Sequence, residues 1–316
     1  MRTVKLIEVK SEIGAGTRGA SLGIDAIKIA AMDFQSLYFK KLKSVEIETE
    51  NEELFEPIIN HYAKHINAVY KIYLRVSKEV GKVIKRKQFP LILAGDHSTA
   101  GGTIAGIKMA APNKRLGVIW IDAHADIHSP YTTPSGNMHG MPLALSLGED
   151  NLECQENEPI GETKMFWNKL KNIGGICPKI QYNDIVYVGL RDTEEQEEFL
   201  IAKHKMKRFS VAEMRKKGIS RSADHILKLL IHCDLIYISF DVDSMDPSVS
   251  KGTGTPVAKG LTELEAASFA SRLVRSPKVC CFEMVEVNPT LDRENTMAEN
   301  AFKILRKVTN ELTSVE

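Results

Sequence analysis

Apolar and polar positions along the chain fall into two alternating textures. Short apolar runs at 90–95, 116–121, 184–189, 205–209, 235–240 and 279–287 have the length of buried strands. Between them, apolar residues at 99–110, 194–203, 211–217, 222–232 and 261–275 recur every three or four positions, as in helices with one covered face. Residues 4–9 read as a first strand, 24–32 as a short helix and 296–312 as a closing amphipathic helix. The stretch 52–87 carries Leu54, Ile58, Ile66, Val69, Ile72, Val76 and Val80 at helical spacing around Pro57 and reads as one or two helices. Strand and helix in alternation predict an α/β fold, a parallel sheet with helices on both faces. No linker, repeat or low-complexity segment divides it, so 1–316 reads as a single domain.

Three of the apolar runs end in chemistry. The run at 116–121 leads into Asp122-Ala123-His124-Ala125-Asp126, the run at 91–94 into Gly95-Asp96-His97-Ser98, and the run at 235–240 into Asp241-Val242-Asp243. Side chains two apart on extended backbone point the same way, and open α/β sheets bind ligands beyond the carboxyl ends of their strands. Taken alone, Asp122 is equally readable as a helix cap and His124 as a packed, hydrogen-bonded histidine. Taken together, His97, Asp122, His124, Asp126, Asp241 and Asp243 make the donor set of two divalent cations. Four carboxylates balance two dications and leave a bridging hydroxide as the surplus anion. Without cations, those carboxylates repel one another and take up protons.

Composition narrows the classes of partner. The 316 residues carry a net charge of +1 and 43% hydrophobic content, which argues against a nucleic-acid or membrane-surface role. No apolar run reaches the length of a membrane span, and the amino terminus lacks a signal-peptide core. Cys154, Cys177, Cys233, Cys280 and Cys281 are odd in number and form no CxxC, which reads as reduced thiols in the cytoplasm. Cys233 and Cys280 read as core residues, and Cys154, in a polar stretch, as a candidate reactive thiol.

The blocks Gly95-Asp96-His97-Ser98, Asp122-Ala123-His124-Ala125-Asp126, Ser239-Phe240-Asp241-Val242-Asp243, Gly252-Thr253-Gly254-Thr255-Pro256 and Glu286-Val287-Asn288-Pro289 resemble, in order, the signature segments of the ureohydrolases, the arginase and agmatinase superfamily. Thr133-Pro134-Ser135-Gly136-Asn137-Met138-His139-Gly140 resembles the arginase branch. The resemblance implies a three-layer α/β/α sandwich around an eight-stranded parallel sheet, in a homotrimer or homohexamer. It implies two Mn²⁺ per chain, one held by His97, Asp122, Asp126 and Asp241 and the other by His124, Asp122, Asp241 and Asp243. The implied reaction is hydrolysis of L-arginine to L-ornithine and urea by the metal-bridged hydroxide. Glu286 would pair with the guanidinium, since a carboxylate fixes that plane, and His139 would shuttle the proton to the leaving amine.

At the amino-acid end, Thr133, Ser135 and Asn137 match the loop that binds the α-carboxylate. His128 stands where arginases place an asparagine, and Glu194 where an aspartate meets the α-ammonium. These departures keep open another guanidino or formimino substrate, of the agmatinase, guanidinobutyrase or formimidoylglutamase type. A metal-binding regulator without turnover is the alternative from another class.

Other segments carry less chemistry. Gly14-Ala15-Gly16-Thr17-Arg18-Gly19 lacks the GxGxxG and Gly-Lys-Ser/Thr patterns and reads as a plain flexible loop. Residues 149–182 read as a surface excursion near the pocket or a subunit contact, with Phe166 and Trp167 as packing residues. Arg191 reads as an interfacial or ion-paired residue and Asp246 as a turn former.

Overall fold

Every residue of Phe89–Ala94 and of Leu116–Ile121 is buried, as continuous apolar strands must be when helices cover both faces of a sheet. In the computed structural model, which describes residues 2–314, eight strands form one sheet; residues 1 and 315–316 lie outside the described residues. They are β1 (Val4–Val9), β2 (Ser44–Glu46), β3 (Phe89–Ala94), β4 (Leu116–Ile121), β5 (Ile185–Val188), β6 (Lys207–Phe209), β7 (Leu235–Asp241) and β8 (Val279–Val285). Their order is β2-β1-β3-β8-β7-β4-β5-β6, with each neighbouring pair parallel.

The helices are α1 (Gly23–Asp33), α2 (Tyr38–Lys41), α3 (Ile66–Lys85), α4 (Thr99–Ala110), α5 (Pro142–Leu147), α6 (Gly161–Lys171), α7 (Glu195–Lys203), α8 (Val211–Lys217), α9 (Ile219–Leu229), α10 (Glu263–Val274) and α11 (Thr296–Ser314). Alternation along each strand divides the interior into two cores. Ile119 and Ile121 pack with α1, α2 and α8 to α11, while Val118 and Trp120 pack with α3 to α7. The result is the α/β/α sandwich expected from the sequence.

Three local readings change. The 52–87 stretch forms a 3₁₀ turn at Asn51–Phe55 and the single helix α3. Pro57 cannot donate to a helix, and Ile58 and Ile59 are exposed, so the apolar spacing there covers no core. Strand β2 escapes a pattern search because it is a short edge strand, polar outward, paired Leu6 to Ser44 and Ile7 to Val45. Of the cysteines, Cys233 and Cys281 are buried while Cys280 is half-buried, and all five are free. The Cys154 thiol is pushed up by burial and by the neighbouring Glu153, which removes the basis for a reactive thiol.

The 149–182 segment is anchored to the core. Helix α6 buries Trp167, whose Nε1 donates to Asp150 Oδ1 at 2.6 Å; Lys171 Nζ reaches the same oxygen at 2.6 Å, and Lys179 Nζ donates to the Lys171 carbonyl at 2.6 Å. Lys179 is 4% exposed, and burial lowers its pKa to about 8. A lysine depressed in the folded state binds fewer protons there than in the unfolded chain between that value and its ordinary one, so its penalty is lifted as pH rises through this window. Wild-type stability is therefore expected to gain on that of Lys179→Met between pH 8 and about 10.5, by up to about 3 kcal/mol. Urea titrations of both proteins across that window check it; parallel stability curves would refute it.

Candidate metal centre

The four central strands, β3, β8, β7 and β4, are contiguous, and the side chains singled out in the sequence leave their carboxyl ends together. After β3, Asp96 closes a turn: Oδ1 accepts from the Ser98 N–H at 2.8 Å and Oδ2 from the Gly14 N–H at 3.0 Å. That turn aims His97 across the sheet end. The buried His97 ring stacks on Trp120 with centroids 4.1 Å apart and planes 4° from parallel, and its Nε2 lies 2.7 Å from Ser239 Oγ. Its Nδ1 sits 2.9 Å from Asp122 Oδ2, 3.0 Å from Asp126 Oδ2 and 3.2 Å from Asp241 Oδ2.

Beyond β4 the chain stays irregular, so Asp122 caps no helix. Its Oδ1 accepts from the His124 N–H at 2.7 Å and lies 3.5 Å from His124 Nδ1. Asp126 reaches the cluster from left-handed backbone, φ 50°, which aspartate tolerates better than most residues. Beyond β7, the Asp243 N–H donates to Asp241 Oδ1 at 2.8 Å, and Asp243 Oδ2 lies 2.9 Å from His124 Nδ1. Asp243 is held from two further sides, by the Ala123 N–H at 3.1 Å and the Thr255 hydroxyl at 3.1 Å.

These contacts form two abutting groups, His97–Asp122–Asp126 and Asp122–His124–Asp243, that share Asp122 through its two oxygens; Asp241 joins the first. Their fit to divalent cations follows from spacing. An octahedral ion with bonds of about 2.1 Å sets adjacent ligand atoms roughly 3 Å apart, as found around His97 Nδ1. Moreover, His97 Nδ1 and Asp122 Oδ2 are buried and make no hydrogen bond, although they face each other at 2.9 Å. Two donors packed that closely without a proton geometry between them suit a shared cation.

Electrostatics agree. Burial, then Asp243 and Asp122, drives the Asp241 carboxyl well above its ordinary range, and burial with Asp122 pushes Asp126 up to about 6. Asp243 is raised by burial and Asp122. Burial opposes the charged forms of His97 and His124, but their carboxylate partners outweigh it and raise both, while the same histidines hold Asp122 low against its burial. Burial and mutual repulsion thus oppose the charged forms of three of the four acids; two dications would balance them.

Next to the clusters, the Glu286 backbone is left-handed, φ 67°. Its Oε1 accepts from the His97 N–H at 2.9 Å and lies 3.0 Å from His139 Nδ1. Burial would lower the His139 pKa, but pairing with Glu286 lifts it to about 9. The Gly14 loop is no loose excursion: the Gly14 carbonyl accepts from the His139 N–H at 3.1 Å.

His97, His124, Asp126, Asp241, Asp243, His139 and Glu286 open onto one cavity of about 280 Å³, which His128, Thr133, Ser135, Asn137 and Glu194 also line, while Asp122 is buried beneath them. His128 and Glu194 meet each other: His128 Nε2 lies 3.1 Å from Glu194 Oε2, with Nδ1 on the Thr132 hydroxyl at 3.0 Å. Glu194 also caps α7, in a reciprocal pair with Glu197. Three neighbours of the site were not singled out in the sequence: Asp192 and the buried Glu197, which line the cavity, and Ser239 behind His97. Only the E-x-x-E capping pattern signals Glu197 beforehand.

Arg191 departs from its expected ion pair. Its guanidinium donates to main-chain carbonyls of Gly189 at 2.8 Å, Asp243 at 2.7 Å, Val257 at 2.7 Å and Ala258 at 2.9 Å, tying together the loops that carry Asp243 and Thr255. Asp246 turns the chain as expected, accepting from the N–H groups of Ser248 at 2.9 Å and Lys259 at 2.7 Å. A further group, Asp184, His232 and Cys233, lies at the opposite end of the sheet; there Arg115 already grips the carboxylate, Nε to Oδ2 at 2.8 Å and Nη2 to Oδ1 at 2.9 Å.

Comparison with known proteins gives one consistent placement. The Arginase family model matches residues 2–310. An arginase of Brevibacillus brevis is 34% identical over 97% of this chain and 97% of its own. The solved arginase of Bacillus caldovelox superposes with a TM-score of 0.83 at 32% identity, covering 98% of each chain. The Entamoeba histolytica arginase, solved in complex with L-ornithine, superposes with a TM-score of 0.83 at 29% identity, over 98% of this chain and 99% of that one. Because these matches run the length of the sheet and take in both clusters, the chain belongs to the arginase family.

Proposed function

We propose that this chain is a binuclear manganese arginase, hydrolysing L-arginine to L-ornithine and urea. The observation that carries the reading is the pair of abutting clusters sharing Asp122, with the Glu286–His139 pair beside them on the same cavity. His97, Asp122, Asp126 and Asp241 would hold one ion, and His124, Asp122, Asp241 and Asp243 the other. Four carboxylates among six ligands favour a hard, octahedral ion such as Mn²⁺. When bound, two such ions supply an activated water at neutral pH.

The chain's own groups do the rest. Glu286 Oε1 is engaged by His97 and His139, so Oε2 is the oxygen offered to a guanidinium N–H, and the charge-assisted contact orients the substrate plane. His139, with its pKa near 9, carries a proton at neutral pH. The Nδ1 proton is committed to Glu286, and the Nε2 proton is the one available to the departing amine. At the far end, Thr133, Ser135 and Asn137 would take the α-carboxylate, and Glu194 with its neighbour Asp192 the α-ammonium. His128 pulls the Glu194 carboxyl down to about 2, so it is fully charged for that role. Glu194→Gln is accordingly expected to raise KM for arginine about 10-fold or more with kcat little changed, because it removes binding shared by ground and transition states. Steady-state kinetics decide; a fall in kcat with KM intact would reassign the residue.

A second reading, a different guanidino acid as substrate, is favoured by the His128–Glu194 contact, which commits to each other two groups otherwise free for the amino-acid end. The test of both is product release from metal-reconstituted protein given arginine, agmatine, guanidinobutyrate and formiminoglutamate. Urea from arginine at the highest kcat/KM supports the arginase reading; preference for another compound replaces it, and no product from any despite full metal loading points to a regulator. Five free thiols are in keeping with a reducing, cytoplasmic setting. Among the described residues, no helix is long and apolar enough to cross a membrane.

A further inference from the structure

Behind His97, on the side away from the carboxylates, lies a second line of polar groups. Glu283 sits in the middle of β8 with no exposure at all, and its same-face neighbours Cys281 and Val285 belong to the apolar core under α3 and α4. A carboxylate there is costly to bury, and an aliphatic side chain would fill the space more cheaply. It has one close partner that explains its position. The Tyr237 hydroxyl donates to Glu283 Oε2 at 2.6 Å, and Ser239, directly across from Glu283 in the β7–β8 register, interacts with that same hydroxyl. Ser239 Oγ in turn lies 2.7 Å from His97 Nε2.

Each hydroxyl has one proton to give, and that fixes the direction of the line. Tyr237 spends its proton on Glu283, so toward Ser239 it can only accept. Ser239 then donates to Tyr237 and must accept from His97. The line thereby holds a proton on Nε2, so Nδ1, which faces Asp122, Asp126 and Asp241 within 2.9–3.2 Å, is the nitrogen whose lone pair would be given to an ion. The stacked Trp120 fixes the plane of the ring.

We propose that Glu283 and Tyr237 are positioning residues for His97: acting through Ser239, they select the ring tautomer whose Nδ1 lone pair can take a metal ion. The inference rests on the two-ion reading above. Without the carboxylate at its end, the line can reverse: an amide at position 283 can donate to Tyr237, Tyr237 to Ser239 and Ser239 to Nε2. The ring proton then sits on Nδ1, where it competes with the cation for the same oxygens. Outer partners of metal-bound histidines commonly change affinity by about 10- to 100-fold.

The experiment compares wild type with Tyr237→Phe, which removes one oxygen, and Glu283→Gln. Mn²⁺ binding is followed by calorimetry and by the electron paramagnetic resonance signal that separates coupled pairs from single ions. Both variants are expected to bind one ion about 10- to 100-fold more weakly, with the other within about threefold of wild type and single-ion spectra where wild type shows pairs. The double variant should be no weaker than the worse single one, because both break the same line. Cys281→Ala, a buried neighbour on the same face but off the line, should leave both affinities unchanged even where it lowers Tm. Wild-type affinity for two ions in both Tyr237→Phe and Glu283→Gln overturns the proposal, as does an equal loss in Cys281→Ala. A wild-type protein that fails to bind two ions overturns the two-ion reading itself, and this inference with it.

Discussion

Asp122→Ala is expected to abolish metal occupancy and activity together, leaving neither ion at concentrations that saturate the wild type. Asp122 turns its two oxygens to different clusters, Oδ2 facing His97 and Oδ1 facing His124. Its removal takes a ligand and a negative charge from both ions at once. What remains around His97 is two carboxylates, Asp126 and Asp241, whose burial still opposes their charged forms. Misfolding is a poor alternative explanation for such a loss. The substitution removes a charge from a crowd of acids whose mutual repulsion opposes the folded metal-free state. The local cost is the bond from the His124 N–H at 2.7 Å, which Asp122→Asn keeps. Metal analysis after dialysis, with Tm measured with and without added Mn²⁺, gives the answer: the wild type should be stabilised by the ion in proportion to its occupancy, and neither Asp122 variant should respond. Asp241→Ala is expected to behave in the same way. Two ions per chain retained in either alanine variant would mean that the shared carboxylate is misassigned.

The six side chains proposed to hold the ions were legible in the sequence for a physical reason. A buried parallel strand is a continuous apolar run, its end is abrupt, and extended backbone puts alternate residues on one side, so Asp122, His124 and Asp126 announce themselves after Ile121, as do Asp241 and Asp243 after Phe240. That the donor strands are neighbours was not written in any one segment. It follows from β8 inserting between β3 and β7, a pairing set by the whole sheet. Residues that act through distant partners were the least visible. Arg191 looked like an ion-paired arginine because its neighbours in sequence are acidic, yet its bonds go to carbonyls up to 67 residues away. Glu283, in Cys280-Cys281-Phe282-Glu283-Met284, looks like a polar interruption in a strand; only the register against Ser239 and the reach of Tyr237 give it a partner. The Gly14 loop carries no chemical motif because it works through backbone, holding Asp96 and His139 by their turn geometry.

His139→Ala should keep both ions and slow turnover by about 10²-fold or more, the usual worth of a positioned general acid. His139 touches neither metal cluster; its Nδ1 is 3.0 Å from Glu286 Oε1, and its backbone hangs from Gly14. Metal content is therefore the control that separates this variant from Asp122→Ala. The pH dependence carries the sign of the role. Pairing with Glu286, against the effect of burial, raises the His139 pKa to about 9, so the proton-donating form is populated at neutral pH and is lost as pH climbs through that value. Wild-type kcat/KM should fall on the alkaline side with a pKa near 9, and this limb should be missing from His139→Ala. The substrate's own α-ammonium titrates in the same range, so the informative quantity is the ratio of the two profiles, in which the substrate's contribution cancels. Glu286→Gln supplies the sharper check, since it removes the charge that raises the histidine. Where its residual rate is measurable, the alkaline limb should move toward the ordinary histidine value near 6.5. A ratio of profiles that stays flat across the alkaline range would leave His139 as a cavity-lining residue and assign the proton to another donor.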